Sequence, residues 1–92
     1  MFKPPSSLTV NNAKTVLQAG YRAIADGQQA IDLSHVVAVD SAAVATLLAW
    51  QRAARARGSQ LDFGRLPSNL RSLVELYGVE ALLQAPAAVP PA

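Results

Sequence analysis

A chain of 92 residues is long enough for one domain with one modest core, burying about 60 to 65% of the surface its unfolded form would expose. Apolar residues make up 51% of it but aromatics only 5%, so Ala, Leu and Val must pack closely, as helices do on a sheet. Charged residues are 15%, below a usual value of about 25%, which points to a subunit that hides part of its surface. The absence of cysteine excludes disulfides, thiolate chemistry and zinc–thiolate sites. The net charge of +2 comes largely from Arg52, Arg55 and Arg57, and reads as a solvated helix end rather than a nucleic-acid patch. No aromatic residues alternate with these arginines, as a single-strand binding surface would require.

The start, MFKPPSSLTV, has no apolar core segment, so no signal peptide is expected. Ser7 to Val10 has the β-branched character of a short strand. A helix follows, with Asn11 or Asn12 as N-cap, Val16, Leu17, Tyr21 and Ile24 on one face, and Gly27 as its stop. Ala30 to Leu33 reads as a strand too short for its period to decide. SHVVAV then reads as a loop leading to Asp40. The second helix runs from about Ser41 to Arg57, with Val44, Leu47, Leu48 and Gln51 or Ala54 as its buried stripe and Gly58 closing it. Trp50 lies off the centre of that stripe and is expected in the core.

QLDFGRL alternates and reads as a third strand. Pro67 opens a third helix whose apolar face is Leu70, Leu73, Val74 and Tyr77, ended by Gly78; VEALLQ adds a short helical turn. The domain spans residues 1–85, and a Pro/Ala-rich tail, 86–92, has little to bury. The order β-α-β-α-β-α implies a parallel or mixed sheet, with right-handed crossovers placing helices mainly on one face. The longest apolar stretch, Val36 to Trp50, is interrupted by Asp40 and falls short of the roughly 20 residues of a spanning helix. A cytoplasmic protein is expected, meeting a membrane only through another protein.

Chemistry is sparse. No phosphate-binding glycine loop of either common type is present, and one histidine, His35, cannot build a multi-histidine metal site. No metal and no cofactor is expected. Ser34, His35 and Asp40 include the residue types of a hydrolase triad. They share one loop, Ser34 and His35 are adjacent, and no G-x-S-x-G elbow exists. No catalytic residue is assigned. Asp40 and Ser41 both suit the N-cap of the second helix. The small residues after them, Ala42, Ala43 and Ala45, let another surface approach the backbone closely.

Ile31 to Gly58, IDLSHVVAVDSAAVATLLAWQRAARARG, resembles the central segment of STAS domains: a strand ending in D-L-S, a loop, D-S/T, then a long apolar helix ending in Gly. LPSNLRSLVELYGVEALL fits the third-helix segment, and the resemblance covers roughly Leu8 to Leu83. It implies an α/β fold, a STAS-like single domain with a small mixed sheet and helices packed mainly on one face. The chain departs from common members at its start, where LTVNNA replaces the usual Gly-Glu-Leu/Ile-Asp and the first β-hairpin is reduced or absent.

In anti-sigma-factor antagonists of this family the motif resembles D-S-S-G, and its second hydroxyl is phosphorylated. Here that position is Ala42, so only Ser41 could carry a phosphate. The MlaB-like branch, small subunits of Mla-type phospholipid ABC transporters, has D-T/S followed by small residues, as Asp40-Ser41-Ala42-Ala43 does. The resemblance therefore implies a non-catalytic subunit. It would bind the cytoplasmic MlaF-like ATPase, and through it the permease, in a transporter that maintains outer-membrane lipid asymmetry. An anti-sigma-factor antagonist controlled by serine phosphorylation is the alternative. The implied partner surface is His35, Asp40, Ser41, Ala42, Ala45 and Arg52, with no nucleic acid and no direct membrane insertion.

Overall fold

Three extended segments, 2–8, 30–39 and 61–63, lie side by side in a computed structural model that describes residues 1–83. Regular pairing is confined to β1 (Ser7–Leu8) and β2 (Ala38–Val39), which are parallel, with Ser7 opposite Ala38 and Leu8 opposite Val39. Single parallel bridges, Phe2 to Ile31 and Ala30 to Asp62, extend the sheet at either side. A tight turn, closed by the Val36 N–H on the Leu33 carbonyl at 3.0 Å, inserts extra residues into the middle segment. Pairing at Phe2 and pairing at Ser7 therefore cannot share one continuous register. Along these segments Leu8, Ile31, Leu33, Leu61 and Phe63 are buried, while Asp62 and Gly64 are exposed. One face of the sheet is thus apolar, the alternation a half-buried sheet requires.

The strand boundaries differ from the sequence expectation. Ser7 to Val10 shrinks to β1, because Thr9 and Val10 already turn toward the first helix. The expected strand at Ala30 to Leu33 keeps only its bridges, and β2 lies inside the run expected to be a loop. QLDFGRL contributes a single bridge residue, Asp62. The expected domain end at residue 85 and the tail 86–92 lie outside the described residues.

Helix α1 (Ala13–Ala25) buries Val16, Gly20 and Ile24, spaced by four. Its N-cap is Asn12, which makes no side-chain cap bond. Helix α2 (Ser41–Ala56) begins at the N-cap Asp40 and buries Val44, Leu47, Trp50, Gln51 and Ala54 among others. Helix α3 (Ser68–Tyr77) follows Pro67 and is closed by Gly78, which takes the left-handed conformation at φ 67° that an L side chain resists. Leu70 and Val74 of α3 are buried, but Tyr77, expected on that face, is 50% exposed. A short α4 (Glu80–Leu83) turns Leu83 into the core. Helix α2 packs against α1, α3 and α4, so the long helix is the hub of the core.

Trp50 shows how that hub is filled. It is fully buried, its indole N–H donates to the Leu17 carbonyl at 3.0 Å, and Phe2 meets it edge-on with centroids 5.7 Å apart. Gly20 of α1 lies against the indole so closely that a Cβ there would sit 2.1 Å from ring atoms. No helix among the described residues is long and apolar enough to cross a membrane.

Candidate functional site

Asp40 and Ser41, adjacent and both suited to capping, divide the work. Asp40 is the N-cap, held extended at φ −143° and ψ −167°. Its Oδ1 accepts the Ala42 N–H at 2.8 Å and its backbone carbonyl accepts the Ala43 N–H at 3.0 Å. Its second oxygen, Oδ2, accepts the Val10 N–H at 2.9 Å, thirty residues away. One carboxylate thus starts α2 and fastens the turn that follows β1 to it. Ser41 is left as the first helical residue, exposed, with its hydroxyl not needed for the cap.

From Ser41 a face runs along α2 with helical spacing. Ser41, Ala45 and Arg52 are exposed, and Ala42, Leu48 and Ala49 between them are half-buried. Ser41, Ala42, Ala45 and Arg52 of the implied partner surface therefore share one face, with Asp40 at its head. Its side chains are small at the start of the helix and end in a single cation, Arg52.

His35 does not join them. It sits before β2 whereas Asp40 follows it, and its Nε2 donates to the Pro4 carbonyl on the neighbouring segment. The triad residue types have separate partners: Asp32 Oδ1 accepts the Ser34 backbone N–H at 3.0 Å and the Ser34 hydroxyl bonds the same carboxylate. These two bonds hold the Asp32 carboxyl below its ordinary value. Ser34, His35 and Asp40 thus point to Asp32, Pro4 and Val10, and form no relay. Among the described residues no group of three or more acidic or histidine side chains is placed to hold a metal ion.

The arginines also separate. Arg55 Nη2 donates to the Leu82 carbonyl at 3.2 Å and Arg57 Nη2 to the Ala25 carbonyl at 3.4 Å. These two fasten the end of α2 to α4 and to the last turn of α1, where a cation meets the negative helix end. Arg52 alone of the three belongs to the exposed face.

Two exposed valines were not singled out from sequence. Val10 is 75% exposed and Val37 69%. Val10 lies next to the cap through its bond to Asp40, and the Val37 carbonyl accepts from Asn69 Nδ2 at 2.6 Å. Val10 falls in the run expected to be a strand and Val37 in the run expected to be a loop, and both are β-branched apolar residues whose type alone does not reveal their exposure. A separate open groove of about 670 Å³ lies between residues 61–66 and the last two helices, lined by Phe63, Arg65, Arg71 and Glu75 among others. None of the α2 face residues lines it.

No curated protein and no solved structure gives a significant match. A family model described as "Mlab, STAS domain" matches residues 6–84, a span that contains β1, β2, the Asp40 cap and α1 to α4. The chain belongs to the STAS-domain family.

Proposed function

We propose that the chain is a non-catalytic subunit that binds, and supports or regulates, the cytoplasmic ATPase of an Mla-type phospholipid-trafficking ABC transporter. Family membership supports a non-catalytic STAS-type role. The observation that carries the finer reading is the exposed hydroxyl of Ser41, released from capping by Asp40 and followed along α2 by Ala42, Ala45 and Ala49. Small side chains at a helix start let a partner surface approach the backbone, and Ser41 offers it one hydrogen bond. In this reading the protein reaches the inner membrane only through the ATPase and the permease.

Ser41→Arg tests it, because a long cation placed on that face blocks close approach without touching the core. With the Mla-type ATPase of the same organism co-expressed, the variant is expected to lose co-purification while its circular dichroism melt stays that of the wild type. A retained complex overturns the proposed surface. The antagonist alternative rests on the same exposed hydroxyl, with Ala42 where phosphorylated relatives carry the accepting residue. Mass spectrometry that finds phosphate on Ser41 after incubation with a cognate kinase would move the assignment to that class.

A further inference from the structure

The segment 2–8 has a neighbour on one side only: it pairs with 31–39 and with no other strand among the described residues. Its other side is an open sheet edge, the feature through which chains add strands from one another. In an extended strand the N–H and C=O of one residue point to the same side, and successive residues alternate. The carbonyls of Phe2, Pro4 and Ser6 all accept from the 31–39 segment, from Asp32, His35 and Val37 in turn. The Val10 N–H likewise reaches Asp40. The odd-numbered residues Lys3, Pro5, Ser7 and Thr9 therefore present their backbone groups to the free edge.

Several of those groups, at the β1 end of the edge, are closed off. Pro5 has no N–H to offer. The Ser7 carbonyl accepts from Asn12 Nδ2 at 2.8 Å, and the Thr9 N–H donates to Asn12 Oδ1 at 3.0 Å. The Thr9 carbonyl accepts the N–H groups of Asn12 and Ala13 at 3.1 and 2.8 Å. The carboxamide of Asn12 thus makes the pair of bonds that one residue of an adjoining strand would make. It does this in place of capping α1, since its side chain makes no bond to the first turn of that helix.

We infer that Asn12 is an edge stop, whose carboxamide occupies the free side of β1 and prevents it from pairing with β1 of a second copy. With the carboxamide gone, Ser7 can face Ser7 of a second copy in an antiparallel pair. The two residues then exchange both backbone bonds about a two-fold axis. The edge stop keeps association to the helical face of the molecule.

The wild-type protein gives the first readout, native-state hydrogen exchange at the Thr9 amide. Protection at least about tenfold above that of the exposed loop amides is expected, and exchange at the loop rate overturns the inference. The second is Asn12→Ala, which leaves the α1 cap bonds untouched. Sedimentation velocity from about 10 μM to about 1 mM should show a dimer growing with concentration where the wild type stays monomeric. A folded variant that remains monomeric throughout overturns the inference. The third is Asn12→Ala combined with Ser7→Pro, which removes the Ser7 N–H that the antiparallel pair needs while sparing the side that faces β2. It is expected to restore the monomer, and a dimer that survives it was not formed through this edge.

Discussion

Gly20 is a residue at which local and tertiary preferences oppose one another. In a helix interior, glycine costs about 1 kcal/mol relative to alanine, so Gly20→Ala considered as local chemistry stabilises α1. The indole of Trp50 reverses the sign. A Cβ at Gly20 would lie 2.1 Å from ring atoms that are fully buried and held by a hydrogen bond to Leu17 and an edge contact with Phe2. The ring has nowhere to shift without breaking both, and overpacking of this kind costs about 1 to 3 kcal/mol. Gly20→Ala should therefore lower the urea midpoint. In a Trp50→Leu background, where the ring is absent, the same substitution should become neutral or stabilising. A stabilised Gly20→Ala variant in the otherwise wild-type chain would show that the helices can separate at this point.

At the scale of elements, α2 holds the molecule together, and Gln51 shows how. The side chain of Gln51 lies in the core, where its Nε2 donates to the carbonyls of Leu61 and Leu83 at 3.0 and 3.2 Å, and its Oε1 accepts the Leu61 N–H at 2.9 Å. A helix thereby satisfies the backbone of an extended segment that has only one bridging residue of its own. Gln51→Leu would fill similar volume but leave these buried backbone groups unpaired, at about 1 to 3 kcal/mol each before relaxation. Water reaching part of the site makes a net loss of about 2 to 4 kcal/mol the expectation, checked by chemical denaturation. Loss below about 0.5 kcal/mol would mean the bonds are replaced. The helices were legible in the sequence because their signals are local: apolar residues at i, i+3 and i+4, Asp40 and Pro67 at starts, Gly78 at a stop. The strands were not, because segments with two paired residues leave no period, and a buried glutamine looks like a stripe residue until its partners at Leu61 and Leu83 are known. The site was half legible. Asp40 and Ser41 stand out as a pair, but which of them caps depends on backbone angles. The bond from Asp40 to Val10, and the exposure of Val10 and Val37, depend on chain segments that only the fold brings together.

At the scale of the whole molecule, charge sets how the fold responds to acid. The chain is positive at neutral pH, with a net charge of +2, so each carboxylate that takes up a proton adds repulsion to a surface already biased toward cations. Asp32 adds a specific contribution of known direction. Its bonds from the Ser34 hydroxyl and backbone N–H favour the ionised form, so its folded pKa lies below the unfolded value of 3.8. The folded state then binds fewer protons than the unfolded state between those two values. The stabilising contribution is complete above 3.8 and is lost as pH falls through the lowered folded pKa. Asp32→Asn removes the ionisation but keeps an oxygen that can accept from Ser34. Urea denaturation should find the variant less stable than the wild type at pH 7, with the difference closing as the pH is lowered below the unfolded value. Asp32 is half-buried just before a short turn, with its carboxylate still reached by solvent, so screening by salt should narrow the gap at pH 7 as well. A gap of constant size from pH 7 down through the acid range would mean that the Ser34 bonds act through the shape of the turn rather than through the charge on Asp32.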